Sequence, residues 1–221
     1  MSENKLLSEE TAKLLDQYFD AATNLYGIIP LRTLLRIYNS QNEPISEEAF
    51  VQFADSIYLD TKFYDIFATD EIYSNTPESE IKTMSKNLVA EYICLEDNFD
   101  EYFEIIGLQR GKSYYVPDKK QLLKYADNFY FEKTLEFIGL RAFLRNQNNL
   151  TKEKADNLAE DIQMIIALES GNITYAINEA ARLGLDFNNQ SIRKEFSRLC
   201  NELSQNTRMH IHCGHTPSEI Y

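Results

Sequence analysis

Apolar positions between Leu14 and Leu25 recur every three or four residues: Leu14, Leu15, Tyr18, Phe19, Ala22 and Leu25. That period is one face of an amphipathic helix. Ser8 followed by Glu9 and Glu10 supplies its N-cap and two carboxylates for the helix dipole, and Gly27 ends it. Pro30 fits the first turn of a second helix with the stripe Leu31, Leu34, Leu35 and Tyr38. After the polar loop NSQNEP, Ser46 caps a third helix carrying Ala49, Phe50, Phe53, Ala54 and Ile57.

The pattern then changes. KFYDIFATDEIYS and NLVAEYICL are rich in aromatic and β-branched residues, with hints of alternation, and a polar segment containing Pro77 separates them. They predict two or three short strands. A helix over residues 99–108 and a turn at Gly111 follow; KSYYVP reads as another extended piece, because Pro117 moves Val116 out of helical geometry. From Asp118 the period is helical again, with caps at Asp118 and Thr151, a helix over 133–146, a break at QNN, and stops at Gly171 and Gly184.

These elements predict a mainly α protein. Its N-terminal domain, 1–110, is helical and winged-helix-like with a short β-hairpin; its C-terminal domain, 111–221, is helical. The boundary is placed at residues 109–118, where glycine, proline and a reversal of charge coincide. In a winged helix-turn-helix the third helix enters the major groove and needs outward Arg, Lys, Asn or Gln. Here it reads SEEAFVQFADSIYLD, with Glu47, Glu48, Asp55 and Asp60, a single Gln52 and no Arg or Lys. Such a helix is repelled by phosphates, so a structural or protein-binding use is expected in place of DNA reading.

Composition sharpens this. With 43% hydrophobic residues, only 7 glycines and a length of 221, the chain belongs with folded globular proteins. Tyrosine and phenylalanine are abundant while tryptophan is absent, which suits helix interfaces near the surface. The net charge of −13 resides mostly in residues 1–110, whereas residues 111–150 carry 7 Lys and Arg against 4 Asp and Glu. An acidic bias disfavours nucleic acid and anionic lipid as partners. Three separated cysteines, Cys94, Cys200 and Cys213, make no disulfide framework. The start MSENKLLSEE lacks the apolar core of a signal peptide, and no run has the length of a membrane span, so a cytoplasmic protein is expected.

Two charged stretches have bland readings. Glu91, Glu96, Asp97, Asp100, Glu101 and Glu104 lack the D-x-[DN]-x-[DN]-G spacing of a calcium loop and read as a solvated helix face. The basic run of Lys112, Lys119, Lys120, Lys124, Lys133, Arg141 and Arg145 is interleaved with Tyr114, Tyr115, Tyr125, Phe129 and Tyr130. Such a mixture can bind single strands, but core aromatics with solvated lysines, or docking of this segment on the acidic half, explain it as well. No nucleophile elbow, P-loop, dinucleotide fingerprint or HExxH is present, so the reading leans away from an enzyme.

The densest chemistry is in residues 206–221, NTRMHIHCGHTPSEIY, which hold all three histidines. His210, His212, Cys213 and His215 are imidazole and thiolate donors suited to zinc or copper. Four donors within six residues form a tight local chelate, whereas structural zinc sites usually draw pairs from two segments. The competing reading is structural. Thr216, Pro217 and Glu219 spell a T-x-x-E capping box with proline at the first helical position, and Gly214 supplies the preceding turn.

The phrases Asn206-Thr207-Arg208 and Gly214-His215-Thr216-Pro217 with Glu219 resemble a motif of uncharacterised bacterial proteins that often carry a SEC-C motif. YGIIPL (26–31), YVPDK (115–119) and the helical run 151–201 are similar to that group too. In those relatives a cysteine-rich zinc module commonly follows; this sequence reaches Tyr221 without one, and His210 and Ile211 depart from the pattern. The resemblance therefore implies no metal site and no reaction, and in longer relatives the SEC-C tail would add a second contact point. The expectation is a non-enzymatic protein-interaction or adaptor module of the bacterial cytosol with a protein partner. The alternatives are zinc binding through His210, His212, Cys213 and His215, and a nucleic-acid-associated regulator.

Overall fold

The computed structural model describes residues 7–73, 81–95 and 99–220. The predicted polar segment with Pro77, and Glu96 and Asp97 of the acidic run, lie outside the described residues. Two compact units divide the chain, Met1–Tyr130 and Phe131–Tyr221. The architecture is mainly helical with one small antiparallel sheet.

In the first unit, α1 (Glu9–Tyr26) starts where Ser8 accepts a hydrogen bond from the Thr11 N–H. Gly27, at φ 65°, turns the chain directly into β1 (Ile28–Pro30), a strand that the sequence pattern does not predict. Three residues are too few to show alternation; only the register of Ile28 opposite Val89 and Ile29 opposite Leu88 makes them a strand. Next come α2 (Leu31–Gln41) and α3 (Glu47–Asp55), the latter capped by Ser46 as expected.

The predicted strands are present but shorter: β2 (Tyr64–Phe67) and β3 (Asn87–Ala90). The rest of KFYDIFATDEIYS turns into α4 (Thr69–Tyr73), and EYIC forms a 3₁₀ turn. Asp70 and Glu71 stabilise the start of a helix and are poor strand residues, which accounts for the shortening. The strand order is β1-β3-β2. The described α-helices and strands run α1-β1-α2-α3-β2-α4-β3, with β3 pairing β1 on one side and β2 on the other.

Helix α5 (Asp100–Gln109) ends the part assigned by sequence to the N-terminal domain. The contacts of residues 111–130 lie with this same unit, so the first core extends past the boundary read from sequence. KSYYVP joins no strand. It is held as an irregular strap: Tyr26 Oη donates to Tyr115 O at 2.7 Å and Gln41 Nε2 to Pro117 O at 2.7 Å. After α6 (Lys119–Leu122), Leu122 and Tyr125 enter the core beside Tyr18, Phe19, Leu25 and Leu34.

The second unit is helical throughout: α7 (Leu135–Arg145), α8 (Lys152–Leu168), α9 (Ile173–Arg182), α10 (Gln190–Gln205) and the short α11 (Pro217–Ile220). Phe137, Leu140 and Leu144 meet Leu158, Ile162 and Ile166, with Phe196 and Leu203 closing the core. Small Ala176 and Ala180 allow α9 to approach closely. Among the described residues no helix is long and apolar enough to cross a membrane.

Candidate functional site

The four predicted ligands sit on one closed turn. His210–His212 forms a single 3₁₀ turn, and Cys213 (φ 52°) and Gly214 (φ 81°) follow in the left-handed region, reversing the chain. Met209 closes the ring by donating its N–H to His215 O at 3.2 Å and accepting from the Gly214 N–H at 3.1 Å. The reversal does not gather the donors. Cys213 is fully buried and His212 nearly so, while His210 and His215 lie at the surface edge. Among the described residues, no group of three or more His, Cys, Asp or Glu side chains is arranged to hold a metal ion. As placed, His210, His212, Cys213 and His215 do not fit zinc, which needs four donors near 2.0–2.3 Å in a tetrahedron.

What organises this segment is Arg208. Its side chain, 13% exposed, reaches three acceptors: Nε donates to Glu132 Oε1 at 3.1 Å, and Nη1 donates to Gly214 O at 3.1 Å and Glu219 Oε2 at 3.0 Å. The planar fork suits that geometry, where a lysine would serve one acceptor well. The same Glu219 oxygen accepts the Thr216 N–H at 3.0 Å and lies 3.4 Å from His215 Nδ1. This is the carboxylate half of the predicted capping box, with Pro217 at the first helical position. The neighbours are structural too. Asn206 Nδ2 donates to Glu202 O, and Thr207 Oγ1 accepts from the buried Gln163 while donating to Leu203 O.

The role of Arg208 is invisible in the sequence, because its partner Glu132 is 76 residues away and has no motif. The cysteines are no better placed for chemistry. Burial pushes the thiols of Cys94 and Cys200 up to about 12, far from the thiolate a nucleophile needs.

The basic run is divided between the units. Tyr125 is buried, Tyr114 packs edge-on against Tyr26 and Tyr130 against Tyr125, so these rings are core and not stacking platforms. Lys124 lies over the Tyr130 face at 5.8 Å, and Lys119 Nζ donates to Asn42 Oδ1. Only the part up to Tyr130 packs within the acidic unit, through aromatic contacts and hydrogen bonds; Lys133, Arg141 and Arg145 belong to the second unit.

The outer side of α3 differs in kind. Its inner side sends Ala49, Phe50 and Ala54 into the core. That leaves Glu47, Glu48, Val51, Gln52, Asp55 and Ser56 around a shallow groove of about 530 Å³. Glu48's own N–H and the Ser46 hydroxyl hold its carboxyl below the usual range, so the groove is anionic at neutral pH. Arg32 and Arg36 are exposed on the neighbouring α2. No protein family, curated protein or solved structure matches the chain.

Proposed function

We propose that this chain is a non-enzymatic protein-interaction module of the cytoplasm, whose winged-helix-like N-terminal unit meets a protein partner through the outer side of α3. The observation that carries this reading is the anionic groove of Glu47, Glu48 and Asp55 on the helix that a DNA-reading relative would insert into the major groove. Three carboxylates there oppose a phosphate backbone and favour a basic protein surface. Val51 and Gln52 between them offer an apolar and an amide contact.

Arg32 and Arg36 on α2 favour a second reading, a nucleic-acid-associated regulator, since the first helix of such a pair contacts phosphates. One experiment separates the two. A photo-crosslinking residue at Gln52 is expected to capture a protein in cells, and E47K/E48K/D55K is expected to abolish that adduct. Retention of duplex DNA by the wild-type chain at low salt, weakened by R32A/R36A, would overturn the protein-binding reading.

A further inference from the structure

We draw no further inference here: the strongest candidate, the exposed apolar face of Leu135 and Ile138 on α7 with Met164 and Leu168 on α8, lies on helices that each carry charges of both signs, and nothing in the structure shows what covers it.

Discussion

Glu219 shows how a single carboxylate can tie a chain end together. Burial alone would raise its pKa, but the Thr216 N–H and the Arg208 guanidinium outweigh that and hold it below its ordinary 4.5. A folded-state pKa below the unfolded one means the charged form is favoured by folding. Its contribution is therefore complete above the unfolded value and lost as pH falls through the folded one. Replacing Glu219 with Gln keeps an acceptor for Thr216 but removes the charge facing Arg208. The stability gap between wild type and Glu219→Gln, measured by urea melts at a series of pH values, is expected to be constant near neutrality and to shrink below about pH 4.5. A gap that stays the same into strong acid would show that the charge contributes nothing. The capping box itself was readable at this scale, because a cap is a local pattern of Thr216, Pro217 and Glu219. Glu132 was not, because nothing near it in sequence announces a partner on the far side of the unit.

At the scale of elements, the turns divide into those that only need a left-handed backbone and those that also need space. Gly111 has φ +80° with nothing within 4 Å of where a Cβ would stand. Gly171 has φ +85°, and a Cβ there would meet Ser204 Oγ at 2.6 Å and Met209 Cε at 3.0 Å. Gly111→Ala is expected to cost about 1 kcal/mol, the left-handed penalty alone. Gly171→Ala is expected to cost about 2 kcal/mol or more, because Ser204 must rotate and the buried Met209 must shift. Urea denaturation of the two variants compares them directly, and equal losses would mean that the space beside Gly171 carries no energy. Sequence located both turns, since glycine after a helical stripe is a stop signal. It located the caps at Ser8, Ser46, Asp118 and Thr151 for the same reason, and each accepts a backbone N–H as expected. It missed β1, whose identity depends on a distant partner, Ile28 pairing with Val89 and Ile29 with Leu88.

Across the whole molecule, the same contrast between local and distant information decides where one unit ends. Glycine, proline and a charge reversal all point to residues 109–118, and each is a property of a short window. The core is not. Leu122 and Tyr125 are buried against residues of α1 and α2 from far earlier in the chain, and Asn24 Nδ2 donates to Tyr125 O at 2.8 Å. Gln109 Nε2 donates to Tyr26 O, and the strap from Tyr115 to Pro117 supplies acceptors for Tyr26 and Gln41. A fragment of residues 1–110 keeps α1 to α5 and the three strands but exposes the surface that Leu122 and Tyr125 cover. Uncovering two large buried side chains removes about 3–6 kcal/mol, comparable with the whole stability of a small domain. Fragment 1–130 is therefore expected to give dispersed amide proton resonances and a cooperative melt, and fragment 1–110 to give neither. If 1–110 melted as cooperatively and at the same temperature as 1–130, residues 111–130 would be dispensable for the first core. The packing of Leu122 and Tyr125 argues that they are the last part of the first core.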